Sequence, residues 1–202
     1  PCFVLKCDVR RFFDSIDQGI LIRLIYRKIK DKDARRLLGQ IIGSFSKAAS
    51  VGLPLGNVTS QLFANIYLNE LDQFVKHTLK IKSYLRYCDD FIILGQNRNG
   101  LCDVTKSIGI FLENNLRLSL HPNKITIRKH RQGIDFLGYV VLPYRRILRT
   151  KTKQRIIRKI INSRESLTDQ SLWSYLGVLK HCRGYNLGQE IIWLSGLAEV
   201  EI

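Results

Sequence analysis

The residues best suited to chemistry are two adjacent acids in the stretch Tyr87-Cys88-Asp89-Asp90. Apolar, strand-like runs flank them, Ser83 to Tyr87 before and Phe91 to Leu94 after. Adjacent carboxylates repel each other, so holding both calls for a nearby cation, a divalent metal first of all. A third acid, Asp8, lies at the polar end of another strand-like run and opens Asp8-Val9-Arg10-Arg11-Phe12-Phe13-Asp14. Alone it reads as a turn residue. Beside Asp89 and Asp90 it supplies what two-metal phosphoryl transfer needs: carboxylates from separate elements, converging on cations roughly 3.5–4 Å apart.

Charge points the same way. The 202 residues carry 33 Lys and Arg against 17 acids, a formal net charge of +16. Such an excess suits a polyanion, although a merely basic soluble protein would share it. Five cysteines without C-x-x-C spacing and four scattered histidines argue against a disulfide framework, a zinc knuckle or a histidine metal site. No run of about 18 apolar residues is present, so no membrane span is expected, and no signal peptide is visible. The chain lacks methionine and opens at Pro1 inside an apolar run, as a fragment of a longer protein would.

The elements that must position the acids follow from periodicity. Phe3 to Val9 reads as a buried strand. Asp17 is placed to cap a helix with Ile20, Leu21, Leu24, Ile25 and Ile29 inward. Asp33 is expected to start a second, with Leu37, Leu38, Ile41 and Ile42 inward. Thr59 opens a long helix whose apolar side includes Leu62, Phe63 and Ile66. Asp103 is the expected cap of another, carrying Val104, Ile108, Phe111 and Leu112. Short strands are expected over Arg117 to Leu120, Ile125 to Arg128 and Phe136 to Val141. Past a break near Pro143, Tyr144 to Arg164 holds nine Lys and Arg and no acid, and about three helices follow. The fold class is therefore α+β, an antiparallel sheet backed by helices and followed by a small helical domain.

Four motifs in order resemble those of reverse transcriptases. Asp8 to Ile16 resembles the first catalytic motif, and Tyr87-Cys88-Asp89-Asp90 the Tyr-x-Asp-Asp motif. Gly52-Leu53-Pro54-Leu55-Gly56-Asn57-Val58-Thr59-Ser60-Gln61 resembles the motif lining the nucleotide and template pocket. Asn123-Lys124 with Phe136-Leu137-Gly138-Tyr139 resembles the last palm motifs and the primer grip. The resemblance implies a right-hand polymerase palm over residues 1–143, residual finger helices at about 17–50, the other fingers largely missing, and a basic helical thumb over 144–202. It implies RNA-directed DNA synthesis with two Mg²⁺ ions, Mn²⁺ being able to substitute. The partners it implies are an RNA template, a DNA or RNA primer, the RNA–DNA hybrid and dNTPs, in the cytoplasm of a bacterium or archaeon or encoded by a phage. No membrane partner is expected.

Carried over by position, Asp8, Asp89, Asp90 and the carbonyl of Val9 would hold the metals. Backbone amides of Arg10, Arg11, Phe12 and Phe13 would face the triphosphate. Phe13 stands at the steric-gate position, where a ring excludes a 2′-hydroxyl; core packing is its other reading. Lys124 is the candidate general acid for departing pyrophosphate, against the plainer reading of a solvated lysine. Leu137, Gly138 and Tyr139 would hold the primer end. Arg155, Arg158 and Lys159 fall on one helical face, suited to phosphate backbone. Leu55, Gly56 and Gln61 would meet the incoming nucleotide. Leucine before Gly56, and Ser60-Gln61 at the motif's end, resemble the enzymes of diversity-generating retroelements. In those enzymes an aliphatic residue at this position accompanies misincorporation opposite adenine, and a small basic accessory protein is a usual partner. Retron or group II intron enzymes, and a non-catalytic RNA-binding relative, are the alternatives; Leu55 as mere packing is the plainer reading of that position.

Overall fold

Phe3–Asp8 forms the first strand, β1, and alternation sets its two faces. Leu5 and Cys7 are fully buried, while Lys6 and Asp8 project to the opposite face. The computed structural model describes residues 2–45, 49–54, 56–162 and 169–195. The chain divides into two compact units, Pro1–Arg128 and Lys129–Ile202. That division falls ahead of the composition break near Pro143, which lies in the connection between two strands of the second unit.

In the first unit, β1 is followed by a single helical turn, α1 (Phe12–Ser15), and by helices α2 (Gln18–Lys28), α3 (Lys32–Gly43) and α4 (Val58–Gln73). A hairpin of β2 (Tyr84–Tyr87) and β3 (Asp90–Gly95) comes next, then α5 (Arg98–Leu116) and β4 (Thr126–Lys129). The sheet order is β2-β3-β1-β4, with β1 to β3 and β2 to β3 antiparallel. Leu5, Cys7, Phe91 and Ile93 from the sheet pack with Leu21, Leu24, Phe63, Tyr67, Leu68, Ile108 and Leu112 from α2, α4 and α5. One face of the sheet is thus covered by helices, leaving the other to Lys6, Asp8 and Asp90. Tyr67 is fully buried, and its hydroxyl donates to the Leu116 carbonyl at 2.7 Å and accepts from the Asp17 amide at 3.3 Å.

Several boundaries differ from expectation. Asp17 caps α2 through the Ile20 amide at 2.8 Å, as read. Asp31, not Asp33, caps α3, accepting from the Ala34 amide at 2.7 Å. Asn97 caps α5, so Asp103 lies inside the helix, and α4 opens at Val58 after Asn57. Leu37 and Leu62, expected inward, are 58% and 59% exposed. Arg117 to Leu120 is not a strand: Arg117 closes α5 at φ 52°, and only Leu120 bridges to Val9. Among the described residues, no helix is long and apolar enough to cross a membrane.

In the second unit the expected strand Phe136 to Val141 is a hairpin. β5 (Ile134–Phe136) and β6 (Tyr139–Leu142) flank Leu137 at φ 50° and Gly138 at φ 86°, the pair of positive dihedrals a tight two-residue turn demands. β7 (Arg145–Leu148) completes a three-stranded sheet, so the basic segment begins as a strand. Helices α6 (Thr150–Asn162), α7 (Asp169–Leu179) and α8 (Tyr185–Ser195) follow. Ile156, Ile160, Leu172, Leu176 and Ile191 form their core. Trp173 is 52% exposed, whereas Tyr175 packs against that core.

Candidate active site

The site is built on the register of two strands. Asp8 on β1 lies directly opposite Asp90 on β3, so both side chains project to the sheet face away from the helices. Asp89 and Cys88 form the two-residue turn between β2 and β3, with Cys88 at φ 52°. The Val9 amide donates to the Asp89 carbonyl at 3.3 Å, tying this turn to the end of β1. Three acids from two segments far apart in sequence therefore meet at one sheet end.

Lys124 arrives by a separate route. The His121 amide donates to the Asp8 carbonyl at 2.8 Å, and the Arg10 amide to the Ser119 carbonyl at 2.9 Å. These bonds lay the segment after α5 along the end of β1. His121 Nδ1 then accepts from the Asn123 amide at 3.2 Å, starting the single turn Pro122–Lys124. That turn delivers Lys124 Nζ to Asp8 Oδ2 at 2.7 Å.

Burial above all, together with the Asp8 and Asp90 charges, holds the Asp89 carboxyl above the usual carboxylate range; its own backbone hydrogen bond and Lys124 oppose the rise. The hydrogen bond to Asp8 raises Lys124 in turn, with all three acids adding to it. Lys6 Nζ lies 3.9 Å from Asp90 Oδ1. Sequence reading missed Lys6, although its place two residues before Asp8 puts it on the same strand face. The acids thus stand in ammonium contacts that offset part of their repulsion.

Among the described residues, no three Asp, Glu, His or Cys side chains already close on one point as a metal cage. The chemistry of the donors fits a hard cation nonetheless: clustered carboxylate oxygens, one of them held above its usual pKa by burial first and by its acidic neighbours second. Asp8, Asp89, Asp90 and the Val9 carbonyl are the groups that would hold it.

The remaining predicted residues are placed as follows. Arg10 and Arg11 are exposed, Phe12 is buried, and Phe13 is half-buried, edge-on to Phe12 with ring centroids 5.3 Å apart. The Phe13 carbonyl accepts from the Leu53 amide at 2.8 Å, which brings the glycine-bounded motif against the first catalytic motif. Gly56 has φ 93°, and a Cβ there would meet nothing within 4 Å. Dihedral freedom, not crowding, is what calls for glycine. Gln61 is exposed on α4, and Leu55 lies outside the described residues.

Leu137, Gly138 and Tyr139 belong to the second unit, where the Gly138 carbonyl accepts from the Arg149 amide at 3.0 Å and the Tyr139 hydroxyl donates to the Val178 carbonyl at 2.9 Å. Arg155, Arg158 and Lys159 share a groove on α6 with Lys151, Gln154 and Asn162. A further cluster escaped the sequence reading: Arg86 on β2 and Asp72 on α4 form a bidentate pair beneath the acidic turn.

Comparison with known proteins agrees with this fold. The group II intron-encoded protein LtrA of Lactococcus lactis is 27% identical over 220 aligned positions, 73% of this chain and 35% of the relative. The chain spans well under half the length of that protein. Among solved structures, telomerase from Candida albicans in complex with a telomeric RNA fragment is 16% identical, with a TM-score of 0.57 over 96% of this chain and 38% of that one. The foamy viral protease-reverse transcriptase in complex with an RNA/DNA hybrid is 19% identical, with a TM-score of 0.51 over 98% and 24%. At such identities the likeness is one of fold, the antiparallel palm backed by helices. The model of the reverse transcriptase (RNA-dependent DNA polymerase) family matches residues 1–141. Most of the chain thus carries the family's pattern on the family's fold, and the chain belongs to the reverse transcriptase family.

Proposed function

We propose that the protein containing this chain synthesises DNA on an RNA template by nucleotidyl transfer. The observation that carries this reading is Asp8 opposite Asp90, with Asp89 in the adjoining turn and Lys124 on Asp8. The primer 3′-hydroxyl gives up its proton to solvent, its oxygen attacks the α-phosphorus of a dNTP, the new P–O bond forms, and the bond to pyrophosphate breaks. Two bound Mg²⁺ ions would supply charge for the phosphates and acidify the attacking hydroxyl. Asp8, Asp89, Asp90 and the Val9 carbonyl would hold that charge in place. Lys124, protonated beside Asp8, would supply a proton to the leaving pyrophosphate. Phe13 crowds the sugar, and Arg155, Arg158 and Lys159 take the phosphate backbone of the hybrid.

Extension of a primer on an RNA template with dNTPs and Mg²⁺ is the expected result, lost in Asp89→Asn. An Asp89→Asn protein that extended as well as its parent would refute the assignment.

Within this activity, the reading extends to error-prone synthesis at template adenines by a cytoplasmic diversity-generating retroelement enzyme with a small basic accessory protein. Its support is Leu55 before Gly56, with Ser60-Gln61 closing the motif. Leucine cannot make the polar contact that glutamine offers around the incoming nucleotide, and a lost polar contact weakens discrimination. The second reading, a group II intron enzyme, is favoured by the similarity to LtrA. Sequencing of extension products separates them. Errors concentrated at template adenines and reduced by Leu55→Gln support the retroelement reading; uniform errors indifferent to that substitution support the intron reading.

A further inference from the structure

The acidic turn needs more than its own two residues to hold its shape. Cys88 at φ 52° occupies backbone space that L side chains rarely adopt, so neighbouring structure must keep it there. Arg86, two residues earlier, provides such a hold. Its side chain is only 10% exposed. Nε donates to Asp72 Oδ1 at 2.8 Å, and the Nη2 nitrogen donates to Asp72 Oδ2 at 2.5 Å. The other guanidinium nitrogen, Nη1, donates to the Cys88 carbonyl at 3.0 Å and to Asn65 Oδ1 at 3.3 Å. Asn65 and Asp72 both belong to α4, and the Tyr84 hydroxyl donates to Asp72 Oδ1 at 2.7 Å.

The consequence follows from peptide planarity. The Cys88 carbonyl shares a rigid plane with the Asp89 amide. Fixing that carbonyl fixes the plane entering Asp89. The plane leaving Asp89 is fixed from the other side, since its carbonyl accepts from the Val9 amide. Asp89 is therefore held at both flanking peptides, one tied to β1 and one, through Arg86, to α4. We propose that Arg86 is a positioning residue for the nucleotidyl transfer: its fork on Asp72 anchors the Cys88 carbonyl and thereby aims the Asp89 carboxylate. This rests on the polymerase reading for its kinetic consequence, but not for its structural one. A lysine cannot replace the fork, because one ammonium cannot span both Asp72 oxygens and still reach Cys88 along a fixed plane.

A test must separate aiming from mere stabilisation, because Arg86→Met leaves Asp72 as an unpaired, partly buried charge and lowers stability for that reason alone. The pair Arg86→Met/Asp72→Asn removes both charges and keeps an acceptor for Tyr84. In the full-length protein we expect this double variant to melt within a few degrees of its parent. Its single-turnover rate should nevertheless fall about 10- to 100-fold with nearly unchanged dNTP affinity, as a misaimed reacting group predicts. Amide hydrogen exchange over Cys88 to Asp90 should quicken in the same variant. Arg86→Lys should behave alike, slow despite its retained charge. A double variant with the parental rate, or with parental exchange in the turn, overturns the proposal. Should the parent itself fail to extend primers, the polymerase reading falls while the exchange measurement still decides the role of Arg86.

Discussion

Replacing Asp8 by Asn separates catalysis from folding at the centre of the site. The substitution keeps volume and removes one charge. On the folding side, Asp8 loses an ion pair with Lys124 Nζ at 2.7 Å. The lysine side chain is 53% exposed, so water screens the pair and its loss costs about 0.5–1 kcal/mol. Two effects offset that cost. The amide oxygen of asparagine still accepts from Lys124, and Asp89 is relieved of one of the charges that raise its carboxyl. The net change should lie within about 1 kcal/mol, or roughly 2–4 °C in melting temperature for a chain of this size. On the catalytic side, a carboxylate holding a cation against the reacting phosphate supplies several kcal/mol of transition-state stabilisation, and 4 kcal/mol is about a thousandfold in rate. Single-nucleotide extension under single-turnover conditions, beside a thermal melt of both proteins, checks the two halves together. We expect a loss of about a thousandfold with little change in melting. A variant within about tenfold of the parent would show that Asp8 holds nothing at the reacting centre. A melting drop beyond about 10 °C would show that the screening argument fails and that Asp8 is chiefly a structural residue.

Other residues give separate tests. Phe13→Ala should reduce discrimination against ribonucleotides by about 10- to 100-fold, measured as the ratio of kcat/KM for dNTP and rNTP; an unchanged ratio would assign the ring to packing with Phe12 alone. Asp89→Asn should gain stability over its parent in chelator as pH rises above the ordinary carboxylate pKa. The raised native pKa makes the ionised form costly in the fold, and below that range the carboxyl is protonated in both folded and unfolded chains. Denaturation at acid and neutral pH measures the difference, and an advantage that shrank with rising pH would reverse the argument. Changing Arg155, Arg158 and Lys159 together to Gln should lower the slope of log K against log salt for hybrid binding by roughly 2–3, at about 0.7–0.9 per phosphate contact. An unaltered slope would leave that groove a solvated face.

What could be read in the sequence was local and chemical. Asp17 announced itself as a cap because an acid three residues before a buried isoleucine does one job well, and the structure repeats it at 2.8 Å. Asp31 and Asp33 are two residues apart, and both could begin α3; only the hydrogen bond to Ala34 decides between them. The three acids were legible because adjacent like charges demand explanation. Their ammonium partners were less so, since Lys6 and Lys124 reach the cluster from opposite ends of the unit and only β-pairing and the turn after His121 bring them together. Leu37 and Leu62 fit an inward stripe by spacing, yet each faces outward, because a helix buries only the arc that its neighbours cover.

The turns resisted reading for a different reason, and that reason bears on how the site works. Glycine or asparagine advertises a positive φ, but Arg11, Cys88 and Leu137 adopt φ values of 44°, 52° and 50° with no such signature. Each lies in a stretch that resembles a family motif: Asp8 to Ile16, the acidic turn and the Phe136 to Tyr139 hairpin. Ser50, Lys80 and Arg117 share the conformation outside the assigned site residues, and Arg117 simply closes a helix, so the dihedral alone marks nothing. At Cys88 and Leu137 an adjoining carbonyl is held, as the Gln18 amide holds that of Ser50: Arg86 binds that of Cys88, and the Arg149 amide binds that of Gly138, beside Leu137. A strained conformation persists only where surrounding contacts outweigh a cost of about 1–3 kcal/mol. The first contact comes from Arg86 on β2, itself anchored to Asp72 on α4, and the second from Arg149, just ahead of α6. A sequence pattern cannot display that coupling, because the anchor of Arg86 on α4 lies 14 residues away and Arg149 lies 11 residues from Gly138. The acidic pair needs a cation, but first it needs a turn that stays where Arg86 and Val9 hold it.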